Sequence, residues 1–132
     1  MTTEPDSMLE RGRALSEAVM PGLEAALAAR YDKYLPGFSK WQIATVYGGI
    51  YDRDGLDLKT RQIATVAALA VQGAQSVPQL RIHVKAARDM GISQREISEV
   101  ILQMALYGGF PAAINALNAA IEVFESEAGT DE

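Results

Sequence analysis

Residues 72–91 read QGAQSVPQLRIHVKAARDMG and hold the only histidine of the chain, His83. Pro78 is tolerated in the first turn of a helix, where its missing N–H would have no partner, and Gly91 suits the position just past a helix end. The stretch therefore reads as a helix, with Ser76 as its N-cap. Leu80, Val84 and Ala87 stand at helical spacing from His83, which turns the imidazole toward the apolar side. A group that exchanges protons near neutral pH thus faces a core or a pocket.

The flanking segments supply that core. Upstream, IATVAALAV at 63–71 has Thr65 as its only polar member. It predicts a central, largely buried helix, capped by Asp57 and loosened at its end by Gly73. Downstream, SQRE at 93–96 is a capping box, and Ile97, Val100, Ile101, Met104 and Ala105 follow the one-sided helical pattern as far as Gly108 and Gly109. Pro111 opens a last helix with Ile114, Leu117, Ile121 and Phe124 on one side, and Asn115, Asn118, Glu122 and Glu125 mostly away from it.

Toward the N-terminus, Asp6 or Ser7 can cap a helix through Leu9, Leu15 and Val19, which Pro21 and Gly22 interrupt. A second, alanine-rich helix runs over 23–31, and YLPG ends it. From Ser39 a further helix brings Trp41, Ala44, Tyr47, Gly48 and Tyr51 together. No stretch reads as a strand. The expectation is an all-α bundle of six to seven helices, one domain over 1–132 with its core at 12–124 and frayed acidic termini.

Composition narrows the function. The chain has 132 residues, 48% hydrophobic and 22% charged, which is the size and balance of one globular domain. A net charge of -5 without a basic block disfavours nucleic acid and anionic membranes as partners. No apolar run approaches the roughly 20 residues of a membrane span, and the N-terminal MTTEPDSMLERGR is polar, so a soluble cytoplasmic protein is expected. The absence of cysteine excludes disulfides, thiolate nucleophiles and thiol redox chemistry. One histidine without a His/Asp/Glu cluster argues against a metal site.

His83 is the leading candidate for acid/base work, and a core histidine bonded to a carbonyl is the plain alternative; spacing leaves both open. Gln79, one turn earlier, and Ser76, about one turn before that, share its face. A serine nucleophile would need an acid to orient the imidazole, and none stands at this spacing, so a cap explains Ser76 more simply. Gln79 either orients a substrate carbonyl or holds the imidazole. Arg61, Arg81, Lys85 and Arg88 surround the region. Arg81 lies nearly opposite His83 on the helix, which makes Arg61 the better partner for a substrate carboxylate. Trp41, Tyr47 and Tyr51 line a pocket or belong to the core. YGGFP lacks the lysine and preceding strand of a phosphate-binding loop and reads as a turn between helices.

The segments TRQIATVAAL, LRIHVKAA followed by MG, SQREISEVILQ and YGGFPAA together resemble the carboxymuconolactone decarboxylase family, which shares a superfamily with AhpD-type alkylhydroperoxidases. The likeness extends from about Gly12 to Phe124. It implies an all-helical fold and a homo-oligomer, a trimer or a hexamer. It also implies a cofactor-free lyase that decarboxylates 4-carboxymuconolactone in aromatic-acid degradation. On that resemblance His83 is the acid/base that handles the proton replacing carboxylate, and Arg61 holds a substrate carboxylate, with Trp41, Tyr47, Tyr51, Ser76 and Gln79 around the small-molecule substrate. Two departures stand out. Family decarboxylases often carry a glutamate where this chain has Gln79, which cannot ionise. The glutamate and two cysteines of the peroxidase branch fall on Ala64, Ser76 and Gln79, which removes peroxidatic chemistry.

Overall fold

The computed structural model describes residues 7–130, and all the regular structure among them is helical. In order the elements are α1 (Met8–Val19), α2 (Leu23–Tyr31), α3 (Phe38–Gln42), a π-helix (Ile43–Tyr51), α4 (Leu58–Gln72), a 3₁₀ turn (Gly73–Ser76), α5 (Val77–Asp89), α6 (Gln94–Gly108) and α7 (Phe110–Thr130). The all-α bundle predicted from the sequence is the fold observed. Asp6, the N-terminal tail before it, and Asp131 and Glu132 lie outside the described residues. Helix α7 takes in the acidic stretch as far as Thr130. The chain divides between Leu56 and Asp57 into two compact units.

In the first unit, Ser7 caps α1 by accepting the Glu10 N–H at 3.0 Å. Helix α1 meets the π-helix backbone to backbone. A Cβ on Gly48 would stand 2.0 Å from the Met8 carbonyl oxygen, and one on Gly12 would stand 2.3 Å from that of Ile43. Only glycine allows so close an approach. The π-helix replaces the ordinary helix that the spacing predicts: the Asp52 N–H reaches back five residues to the Tyr47 carbonyl at 2.9 Å. Asp32 fixes the start of α3, accepting the Ser39 N–H at 2.9 Å and its hydroxyl at 2.7 Å. Those two bonds hold the Asp32 carboxyl below its usual range.

The second unit carries the large apolar core. Asp57 accepts the Thr60 N–H at 2.7 Å and starts α4, and Ser93 with Glu96 forms the predicted capping box at the head of α6. Both carboxyls are lowered by those backbone bonds. Ile97, Ile101 and Ala105 of α6 are buried with Leu80, Val84 and Ala87 of α5, as their spacing predicts.

Three expectations change here. Helix α4 is one-sided rather than largely buried: its buried residues are Gln62, Val66 and Ala70, while Ala64 and Ala68 are exposed. On α7 the buried stripe is Ala113, Ala116, Ala119 and Ala120, with Leu117 and Phe124 packed at its margin. Ile114 and Ile121 point outward. Small side chains let α7 approach its neighbours closely, so alanine takes the inner positions that side-chain size assigned to isoleucine. Ser76 holds the N-cap position of α5 but makes no capping bond. Its hydroxyl donates instead to the Leu69 and Gly73 carbonyls, which ties the 3₁₀ turn to the end of α4.

Candidate functional site

The site centres on α4 and α5. Gly73, at φ +75°, breaks the helical path after Gln72, and the 3₁₀ turn leads the chain into α5 so that the two helices pack together. That packing sets Gln62, on the first turns of α4, against His83, in the middle of α5. The Gln62 side chain is 1% exposed. Its amide nitrogen donates to the His83 main-chain carbonyl at 2.9 Å and lies 2.8 Å from Nδ1 of the same residue.

Chemistry fixes the direction of the second bond. A carbonyl oxygen only accepts, so the amide edge that faces it must be the NH2 group; the other amide orientation would set two carbonyls against each other. The same nitrogen faces the ring, and Nδ1 is therefore an acceptor. That pairing requires a neutral imidazole with its proton on Nε2. Burial lowers the His83 pKa from its ordinary value, and no charged group contributes to that shift. The ring is half-buried, and Nε2 has no hydrogen-bond partner among the described residues.

The other sequence candidates are placed differently. Ser76 is buried and committed to main-chain carbonyls, so its hydroxyl serves the turn. Gln79 is exposed and forms no bond to His83. Arg61 is half-buried, adjacent to Gln62 in the first turn of α4. Arg81 pairs with Glu122 at 2.8 Å, Lys85 with Asp89 at 3.1 Å and Arg88 with Glu127 at 3.1 Å, so these three cations have carboxylate partners within the unit.

The three aromatic candidates lie in the first unit, Tyr47 beside Tyr51 and Trp41 beside Phe38. Tyr47 is buried, 5.4 Å from the Tyr51 ring, and its hydroxyl donates to Met20 Sδ at 3.3 Å. Burial, with Tyr51 nearby, pushes the Tyr47 phenol up to about 12. Trp41 is exposed, stacks 6.1 Å from Phe38 and borders a surface cleft of about 400 Å³ with Leu35 and Pro36. Gln62 is the residue that the sequence reading missed. Its one signal was its place at the head of the stripe Gln62, Val66, Ala70, a polar residue where the helical period calls for burial. No group of three or more His, Asp or Glu side chains is placed to hold a metal among the described residues. No helix there is long and apolar enough to cross a membrane.

An all-helical bundle with one neutral, amide-held histidine defines a scaffold for acid/base or hydrogen-bond chemistry without a thiol. Residues 36–122, which include Gln62 and His83, match the model of the carboxymuconolactone decarboxylase family, and the chain belongs to that family. It is 38% identical over 120 residues, 91% of this chain and 90% of the other, to an uncharacterized 15.0 kDa protein in the nqo9-nqo10 intergenic region of Paracoccus denitrificans. It is 37% identical over 79 residues to the 4-carboxymuconolactone decarboxylase of Acinetobacter baylyi, covering 60% of this chain and 58% of that enzyme. It is 32% identical over 71 residues to the nitrosuccinic acid decarboxylase of Metarhizium robertsii, covering 54% of this chain and 48% of that enzyme.

Proposed function

We propose that the chain is a cofactor-free decarboxylase of the cytoplasm, acting on a small anionic lactone or carboxylate, with His83 as the acid/base group at the reacting end of the substrate. The observation that carries this reading is the neutral His83, held by a buried amide within the segment that matches the family. The names of the two decarboxylating relatives indicate one chemical class. In nitrosuccinic acid a carboxylate sits on the carbon that bears a nitro group; in 4-carboxymuconolactone it sits on the saturated ring carbon that the ring double bond links to the lactone carbonyl. Breaking the bond to CO2 leaves an electron pair that is delocalised onto a nitro or carbonyl oxygen, and a proton from water then adds to a carbon of that delocalised anion. A hydrogen-bond donor aimed at the oxygen that receives the charge stabilises this transition state. Arg61 is the cation we assign to a substrate carboxylate, and Gln79, on the same unit, is assigned to the rim of the pocket. We assign the whole chain to one functional domain that works as a homo-oligomer.

The test is turnover. Purified protein mixed with 4-carboxymuconolactone is expected to release CO2 and deplete the ultraviolet absorbance of the lactone above background, and His83→Ala is expected to lower the rate by about 100-fold or more. Background rates with both 4-carboxymuconolactone and nitrosuccinic acid would overturn the assignment. Gln79, which cannot ionise, favours one second reading: a small-molecule binding protein that keeps the scaffold without the reaction. Such a protein would show a raised melting temperature with a pathway lactone or acid and no turnover, because a ligand bound only by the folded state stabilises it by mass action.

A further inference from the structure

We infer that Gln62 is a positioning residue: its buried amide bridges the main-chain carbonyl and Nδ1 of His83, holds the ring neutral with its proton on Nε2, and makes His83 meet its ligand as a hydrogen-bond donor. The geometry carries the inference. One NH2 group has two hydrogens and two acceptors within 2.8–2.9 Å, both belonging to the same residue, His83. The backbone bond anchors the amide, so the orientation that serves the ring is set before any ligand arrives. Ring rotation is opposed as well, because a flipped imidazole would give up the Nδ1 bond while the amide stays fixed by the carbonyl. Protonating Nδ1 would set two donors face to face in a site where Gln62 is 1% exposed.

The consequence for chemistry rests on the decarboxylase reading. With Nδ1 occupied and Nε2 protonated, His83 has no ring lone pair left to remove a proton from a substrate, which narrows the acid/base role proposed for it to that of a donor. It can donate to a carbonyl, nitro or carboxylate oxygen, which is the contact needed as the electron pair released with CO2 moves onto oxygen. Neutral imidazole does this without bringing a buried cation to the site.

The single histidine makes the test direct. In the ¹⁵N-labelled protein at pH 8, long-range ¹H–¹⁵N correlation spectra of the ring are expected to show Nδ1 unprotonated and Nε2 protonated. That separation should exceed the one seen for the same sample in urea, where the two tautomers average. In Gln62→Glu a carboxylate replaces the donor, so the ring proton is expected to move to Nδ1 and the titration midpoint to rise by about one pH unit or more. A wild-type ring protonated on Nδ1, or one averaged as in urea, overturns the inference, as does a folded Gln62→Glu variant with unchanged tautomer and midpoint. The wild-type comparison stands even where the variant does not fold. Absence of turnover with normal spectra would count against the decarboxylase reading and leave the role of Gln62 intact.

Discussion

Gln62 changes what His83 means at the scale of single residues. The histidine was legible in the sequence because it is the one side chain that titrates near neutral pH without perturbation. Its partner was not, since 21 positions separate the two and no periodic rule links residues on different helices. Helical spacing puts Ser76 and Gln79 on one side with His83, but one hydroxyl is spent on main-chain carbonyls and the exposed amide forms no bond to the ring. The lowered pKa of His83 has a thermodynamic consequence. In the unfolded chain the ring takes a proton at its model value of 6.5, whereas the folded ring resists it to a lower pH. Stability from this group is therefore complete above 6.5, falls as the pH drops below that value, and levels off once the folded pKa is passed. Urea midpoints measured from pH 8 to pH 5 should show this loss in the wild type and lack it in His83→Asn. Asp57 and Glu96, also lowered, act in the acid range of carboxylates and leave the step near neutrality to His83.

Elements were legible where a local rule fixes them and illegible where a neighbour does. The Asp57 cap and the Ser93–Glu96 capping box follow from residues three apart in the chain, and both are present. The alanine stripe of α7 follows from how close the neighbouring helices come, which no periodicity in hydrophobic size reveals. The π-helix is the clearest case. Its apolar spacing fits an ordinary helix, yet the turn is widened, and α1 lies against it at Gly12 and Gly48 with no room for a Cβ on either glycine. Gly48→Ala would drive a methyl group into the Met8 carbonyl, a backbone atom that cannot swing aside as a flexible side chain can. We expect a loss of about 2–3 kcal/mol in chemical denaturation, the upper part of the usual cost of overpacking. Gly55→Ala, whose Cβ would meet nothing within 4 Å, is the matched control and should change the midpoint little.

For the whole molecule, the outward turn of Ile114 and Ile121 bears on assembly. Together with Leu102, Leu106, Tyr107 and Phe110 they leave six large apolar side chains exposed on α6 and α7, with Leu106 at 75%, Tyr107 at 74% and Phe110 at 63%. Leu102 and Leu106 are one helical turn apart, and Phe110, Ile114 and Ile121 recur along one side of α7, so the residues form stripes rather than scattered points. Apolar stripes of this kind mark contact surfaces. A second copy of the chain is the occupant we propose, because an apolar stripe is matched by another apolar stripe and the chain carries one on itself. A net charge of -5 is too modest to oppose such association at physiological salt. Light scattering on the purified protein is expected to give a multiple of 14.2 kDa, and the double substitution Leu106→Glu and Tyr107→Glu is expected to shift the mass toward 14.2 kDa with helical content retained. Both side chains are exposed, so the charges cost the isolated fold little, and loss of mass without loss of helix would locate the contact on this face. A wild-type monomer at micromolar concentration, or a double variant that assembles as the parent does, would remove α6 and α7 from the interface and return their apolar side chains to the status of ordinary exposed surface.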